Sequence, residues 1–417
     1  MMAQWSNRRK PAVFGASTPR RHRPDYILVL LSVVLLAIGL IVVYAISPGL
    51  AAQKNVNESY YISKQVLAIL IGLAGFVVAA NIPFGHWRQL LRPLIIVASV
   101  ATVVALVSPV TTDYPAHRWI RFGGLSLQSV ELIKFALLFW LAYFLSDRLK
   151  QGNLESKDAT FKPLLIILAI LAMVVAVAQK DLGSFGVLMA MGGVMVFVAG
   201  LPLRRLALIV AVLGAGVMLL ILPVQYRRDR VLTFLNPEAD CQNTGYQACQ
   251  ALIAIGSGGM FGKGLAHSVQ AYGYLPEAAN DSIFAILAEK FGFVGVTVLI
   301  GLFAAFFTRI KNIMERAPDM MTRLVLAGIL AWLSTQALIN IGAMVGLLPL
   351  KGITLPFISY GGTSIIFVLA AVGVVFNISR YTTYGINSTE LTEGSDNDRT
   401  SARKPAVGAI RYSEKQR

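Results

Sequence analysis

The chain has 417 residues, of which 56% are apolar and only 14% charged, with a mean hydropathy of +0.66. Soluble domains carry about 25% charged residues, so this composition excludes a soluble globule and points to a polytopic membrane protein. The net charge of +16 then reads as a topology signal and an attraction to anionic lipid, and it gives no reason to expect nucleic acid as a partner.

Residues 1–25 are basic and polar and are expected to form a disordered cytoplasmic tail; no short apolar core with a small-residue cleavage site follows, so no signal peptide is expected. Ten apolar runs long enough to cross a hydrocarbon layer come next: 26–47, 65–82, 94–110, 130–145, 164–177, 183–199, 206–222, 282–307, 324–347 and 363–378. Lys and Arg near their ends set the orientation. The basic N-terminus, Arg88 and Arg92, Arg148 and Lys150, Arg204 and Arg205, and Arg309 to Arg323 place both termini in the cytoplasm. The expected fold is an all-α polytopic membrane domain over 26–381, with a large extracytoplasmic loop, 225–280, between spans 7 and 8. The polar segment 382–417 is expected to be a second disordered cytoplasmic tail.

The outer segments carry basic residues against that bias: Arg118, Arg121, Lys180, Arg227, Arg228, Arg230, Lys263 and Lys351, beside Asp181, Asp229, Asp240 and Asp281. They form either a polar surface that holds an anion such as a phosphate, or a set of exposed ion pairs in loops. Within the large loop, Gln247–Ile255 reads as an amphipathic helix, followed by the glycine run GSGGMFGKG, Gly256 to Gly264. That run is not a nucleotide P-loop, because Ser257 stands where the first glycine belongs and Gly264 where Ser or Thr must follow the lysine. A flexible loop whose amides approach an anion is the remaining expectation. Cys241 and Cys249 share this loop, and an oxidising compartment permits a bridge between them. No metal-ligand spacing surrounds His267.

The stretch YGYLPEAANDSIFAILAEKF, Tyr272 to Phe291, brings Glu277, Asp281 and Glu289 to the mouth of a membrane span. Carboxylates at that depth cost roughly 2.5–3.5 kcal/mol on insertion scales and by default face a cavity. Pro276 suits a first helical turn, which would put Glu277 and Asp281 on one helix face. Asp281 is then either a catalytic or ion-binding group or an acid that complements the helix dipole. Glu131 and Lys134 share a face of the fourth span, as a structural ion pair or as the lining of a cavity. The segment Leu347 to Ser364 has two prolines and three glycines between two spans, and irregular backbone at that depth lines a cavity or is buried in protein.

These stretches together resemble the SEDS family of cell-wall glycosyltransferases. The resemblance is carried by HRWIRFGGLSLQSVELIK, QKDLGSFG, YRRDRVLTFLNPEAD, GYQACQALIAIGSGGMFGKGL, YLPEAANDSIFAILAEKFGFVG and NIGAMVGLLPLKGITLPFISYGGTS. It implies an enzyme that polymerises lipid II at the outer face of the cytoplasmic membrane beside a class B penicillin-binding protein. Asp281 matches the family's essential acid, Glu131 and Lys134 its cavity pair, Arg118 and Trp119 its RW pair, and Lys351 the lysine of its last outer loop. Lys351-Gly-Ile-Thr is more similar to the division branch than to the elongation branch, which implies a septal enzyme working with other division-complex membrane proteins. The resemblance implies substrate-binding roles for Arg118, Glu131, Lys134 and Lys351; Trp119 stacks on a sugar or is an ordinary interfacial belt aromatic, and Glu277 is a further candidate substrate contact, with a divalent cation, Mg or Mn, compatible with Asp281 and Glu277 as ligands. The chain departs from the family at Ala279-Asn280, usually His-Thr, at Lys180 and Ser129, each usually Pro, and at Ser126, usually Arg, for which Arg121 is the candidate substitute. A lipid flippase, or a scaffold that recruits a synthase, is the different-class alternative that the same buried charges allow.

Overall fold

The computed structural model describes residues 23–109, 117–122, 125–202, 241–243 and 245–381, with scattered positions between 204 and 234. The two tails, most of the seventh predicted span, and the cluster Arg227, Arg228, Asp229, Arg230 and Asp240 lie outside the described residues.

Ten α-helices and one hairpin make up the described residues. α1 (Tyr26–Lys54), α2 (Tyr60–Asn81) and α3 (Trp87–Val107) lead to strands β1 (Trp119–Phe122) and β2 (Leu125–Gln128), paired antiparallel. α4 (Ser129–Lys150), α5 (Lys162–Leu171, continued by wider turns to Ala178) and α6 (Leu182–Val198) follow. After the undescribed stretch come α7 (Tyr246–Gly258), α8 (Ile283–Glu315), α9 (Met320–Met344) and α10 (Gly362–Ser379). Eight helical stretches among the described residues are long and apolar enough to cross a membrane, and α6 is a shorter apolar helix. The chain is a multi-pass membrane protein of all-α class.

Helices outrun the apolar runs that announce them. α1 continues through Pro48 to an Asn55 cap in left-handed conformation, and α3 starts well before Leu94 and carries Pro93 inside it. Hydrocarbon length sets the apolar run, whereas helix length is set by where capping and turns intervene. α4, α9 and α10 are mostly buried, and α2 and α3 keep a broad apolar face exposed, as lipid-facing helices must. Glycines allow the closest approaches. A Cβ on Gly39 would stand 2.6 Å from the Phe357 carbonyl oxygen, and one on Gly373 2.5 Å from that of Phe76.

α8 is broken at Gly292 (φ 65°, ψ −166°). A break inside a span leaves backbone groups without helical partners, and in lipid each must find another. The glycine run supplies them. Lys263 and Gly264 amides donate to the Glu289 and Lys290 carbonyls at 2.9 Å each, and the Phe293 and Val294 amides donate to the Gly259 and Met260 carbonyls at 2.9 and 3.1 Å. Close approach requires the glycines, since a Cβ on Gly262 (φ +79°) would lie 2.2 Å from the Lys290 oxygen. The sequence expectation of an anion-approaching loop is therefore corrected: these amides are committed to a broken helix. Cys241 and Cys249 are disulfide-bonded and tie the start of α7.

At the opposite end of the bundle, Asp25 caps α1 by accepting from the Leu28 amide, donates its own N–H to the Ser379 hydroxyl at 3.0 Å, and accepts from Arg309 Nη2 at 2.5 Å. One residue thus joins α1, α8 and α10. Gly262→Ala is expected to destabilise the fold by about 1–3 kcal/mol from the left-handed backbone alone, with the overlap adding to it; a thermal melt of the purified protein in detergent checks this.

Candidate functional site

Three irregular segments meet at the end of the bundle away from Asp25: the turns before α8, the segment 345–361 between α9 and α10, and the loop joining α5 to α6. The first two are tied together by one side chain. Asn340 of α9 donates through Nδ2 to the Asp281 carbonyl and to the Ile353 carbonyl, at 2.7 Å each. Ser359 reinforces it, donating to the Asn280 carbonyl at 2.6 Å and accepting from the Leu355 amide at 2.7 Å, and the Tyr360 amide donates to the Ala279 carbonyl at 2.8 Å.

The segment around Asp281 is not the helical turn that Pro276 suggests. Residues 273–282 form successive turns and α8 begins at Ile283. Glu277 adopts φ 51°, and its carbonyl accepts from the Asn280 and Ser282 amides at 2.9 and 3.2 Å, which closes the chain on itself before a helical ladder starts. Glu277 and Asp281 therefore do not share a helix face. Glu277 is exposed and its carboxylate accepts from the Asn280 side chain. Glu289 also departs from a cavity-facing role. It is fully buried and accepts from the Ser268 hydroxyl at 2.5 Å, the Val269 amide at 2.9 Å and Lys263 at 3.2 Å, so it fastens the preceding loop to α8.

Asp281 lines a narrow cleft of about 10 Å³, the size of one water, with Asn340, Ala343, Met344, Lys351, Gly352 and Ile353 among its walls. Its Oδ1 is buried without a hydrogen-bond partner. Gly352 (φ +62°) separates it from Arg118. A Cβ there would stand 3.6 Å from Asp281 Oδ2 and 4.0 Å from Arg118 Nη2, so the absent side chain is what leaves the acid and the guanidinium facing one space. Burial is the main reason that the Asp281 carboxyl is pushed up from the usual 3.8 to about 7; Glu277 adds to the rise, and its own amide, Arg118 and Gln247 oppose it without cancelling it.

Arg118 ends the approach to β1, and its Nη1 pairs with Asp181 Oδ2 at 3.4 Å. Asp181 caps α6: it accepts from the Ser184 amide and hydroxyl at 2.9 Å each and from Gln128 Nε2 at 3.2 Å. Trp119 is half-buried on the hairpin, and Arg121 stands opposite Ser126 in its register, so a guanidinium is present on the neighbouring strand. Lys351 is half-buried beside Gly352 at the cleft. Among the basic residues expected in outer segments, Arg118 and Lys263 are thus ion-paired with carboxylates that are themselves buried, so neither alternative holds for all of them.

Glu131 and Lys134 pair at 2.7 Å and are buried to 4% and 3% exposure. Lys134 also donates to Gln336 Oε1 at 3.2 Å and lies 4.9 Å from the centre of the Trp332 ring. Gln336, a residue the sequence analysis missed, passes the connection to the Thr354 carbonyl at 3.0 Å. This pair is a floor beneath the cleft, joining α4, α9 and the 345–361 segment. Of the ten buried side-chain polar atoms without a partner among the described residues, five belong to Arg118, Glu131, Gln179, Asp281 and Asn340, so unmet polarity is concentrated at this one end. Glu277, Phe357 and Lys180, three of the four non-glycine residues with positive φ, also lie in the three segments that meet here.

A family model described as "Cell cycle protein", covering FtsW, RodA and SpoVE, matches residues 26–384. The chain is 38% identical over 368 residues to stage V sporulation protein E of Bacillus subtilis, covering 88% of this chain and 100% of that protein. It is 36% identical over 361 residues to a probable peptidoglycan glycosyltransferase FtsW of Geobacter metallireducens, covering 86% and 95%. Among solved structures it is similar to a chain of a peptidoglycan synthase complex that coordinates polymerization and crosslinking (TM-score 0.68, 27% identity, 86% of this chain and 98% of that one). It is also similar to the rod shape determining protein RodA of Thermus thermophilus (TM-score 0.61, 26% identity, 86% and 97%).

Removing one member of the buried pair leaves an uncompensated charge. Lys134→Met is expected to destabilise by about 3–5 kcal/mol, and the double variant Glu131→Leu, Lys134→Met to recover most of that, as read from a double-mutant cycle of thermal midpoints.

Proposed function

Because the chain belongs to the FtsW/RodA/SpoVE family, whose members include peptidoglycan glycosyltransferases, we propose that it polymerises lipid II into glycan strands at the outer face of the cytoplasmic membrane. The observation that supports this most directly is a half-buried Asp281, its Oδ1 buried and unpartnered, facing the same small space as Arg118 and bordered by Lys351.

Polymerisation joins a hydroxyl of one sugar to the anomeric carbon of another while the bond from that carbon to the lipid pyrophosphate breaks. Attack from the face opposite the leaving group inverts the anomeric centre. Asp281, in its ionised form, accepts the hydroxyl proton as the new bond forms, a contribution typically worth about 10²–10⁴ in rate. The leaving oxygens gain negative charge, which Arg118 and Lys351 stabilise in a site where few waters compete. Trp119, on the hairpin beside Arg118, offers a face for a sugar ring. Glu131 and Lys134 act from beneath the cleft, by holding the 345–361 segment through Gln336. Exposed Glu277 contributes through Asn280 and the turn that presents Asp281.

The described residues gather no group of three or more His, Cys, Asp or Glu side chains. A divalent cation, Mg²⁺ or Mn²⁺, would be held by the unpartnered Asp281 Oδ1 and Asn340 Oδ1 together with substrate oxygens, with exposed Glu277 outside that set, and it would neutralise pyrophosphate charge. The similarity to a synthase complex that couples polymerization to crosslinking supports a class B penicillin-binding protein as partner. The relatives named FtsW support a septal location among other division proteins.

The reading is tested by purifying the chain with a cognate class B partner, adding lipid II, and comparing polymer from the native protein with that from Asp281→Asn. Polymer from the first and none from the second is expected; equal polymer from both would remove Asp281 from the chemistry, and headgroup translocation without polymer would favour a flippase. The pH dependence has a defined sign. The base is the ionised form and its pKa is near 7, so the rate is expected to rise about tenfold per pH unit below that value and level off above it. Stability runs the other way. Ionising the buried acid is costly, so its contribution is fully present below about pH 4 and is lost as pH rises through about 7.

A further inference from the structure

We propose that Lys180 is an additional diphosphate-binding residue of this cleft, a contact that rests on, and extends, the lipid-pyrophosphate reading given above. Lys180 lies between two buried anchors. Gln179 is fully buried and donates to the Ser129 hydroxyl at 2.8 Å, and Asp181 is buried against Arg118, Gln128 and Ser184. Between them Lys180 is exposed, and its ammonium has no hydrogen bond or ion pair among the described residues. Its backbone sits at φ +55° because the α5 stretch ends in a reversed turn: the Gln179 amide donates to the Val174 carbonyl at 3.0 Å and the Asp181 amide to the Val175 carbonyl at 2.9 Å. Such an ending needs a left-handed residue, and glycine fills that position at about 1–2 kcal/mol less than a residue with a side chain. Nothing in the helix ending calls for a lysine.

The surroundings give the ammonium a target. Three residues on, Gly183 packs against the 351–353 segment, with a Cβ there standing 2.9 Å from the Lys351 carbonyl oxygen. The start of α6 therefore borders the wall that carries Lys351, Gly352 and, across Gly352, Asp281 and Arg118. Counting charge then shows a deficit. Arg118 is already paired with Asp181, and Asp281 adds a negative charge when ionised, so Arg118 and Lys351 alone leave a dianionic or trianionic diphosphate under-compensated. Lys180 adds a cation at this rim that has no carboxylate partner among the described residues, on a stem of four methylenes fixed at its base by Gln179 and Asp181.

The test uses inorganic pyrophosphate as probe and the full chain in a neutral detergent, reading protection against thermal unfolding. Lys180→Gly keeps the left-handed backbone and removes the ammonium; Lys180→Arg keeps the charge. Pyrophosphate is expected to protect the native protein and the arginine variant alike, and to bind the glycine variant about three- to tenfold more weakly. The unliganded glycine variant should melt no lower than native, which separates lost binding from lost fold. Undiminished binding by the glycine variant, weakening in the arginine variant equal to that in the glycine variant, or no protection of the native protein at millimolar pyrophosphate would each overturn the proposal. Protection by phosphatidylglycerol but not by pyrophosphate would overturn it too, since a lipid headgroup monophosphate would then be the ligand. Polymer formation by the native protein against Asp281→Asn decides the polymerase reading separately, so either conclusion can fail while the other stands.

Discussion

The site depends on a single amide. Asn340 reaches out of α9 with one Nδ2 group and holds two carbonyls, those of Asp281 and Ile353, that belong to different irregular segments. Neither segment has a helical ladder to fix it, and in a low-dielectric surrounding an unpaired carbonyl costs about 1–3 kcal/mol. The donor therefore does two things at once: it satisfies buried backbone, and it fixes how far the acid stands from the Lys351–Ile353 wall. Helices supply the rigid frame, and the reactive geometry is set by side chains that cross between loops.

The same economy explains the glycine run. A broken span needs replacement partners for its freed amides and carbonyls, and only a chain that approaches within van der Waals contact of the backbone can provide them. Gly258, Gly262 and Gly292 all sit where a Cβ would overlap backbone atoms of the opposing segment. Glu289 and its partners on residues 263–270 then fasten that strap to α8. The upper part of α8 is thereby locked into the protein while its continuation, with Phe293 and Val298 exposed, faces outward.

Much of the fold was legible because the hydrocarbon thickness imposes a length on every apolar run, and nine of the ten runs reappear as helices among the described residues. Their ends were not, since Pro48 and Pro93 read as punctuation yet sit inside helices. Asp281, Arg118 and Lys351 were nameable from their position in polar outer segments and from family resemblance. Asn340 and Gln336 were missed because an amide inside an apolar span gives no charge signal; spacing on α9, four residues apart on one face, was the only hint available. Glu277 was misplaced because Pro276 opens turns as readily as helices. The glycine run was misread for a related reason: glycine marks close approach, and sequence does not say what approaches.

The cap on α1 carries a consequence for biogenesis. Asp25 is made just before α1, but its N–H is satisfied by a hydroxyl 354 residues later, and its carboxylate waits for Arg309. At about 5–20 residues per second of synthesis, α1 spends roughly 20–70 s in the bilayer before Ser379 emerges. During that interval α1 is inserted but unfinished at its Asp25 end, and whatever attends the nascent chain there, whether water, lipid headgroups or the insertion machinery, must keep that end available. Closure of the bundle thus waits for α10, which arrives to seat α1.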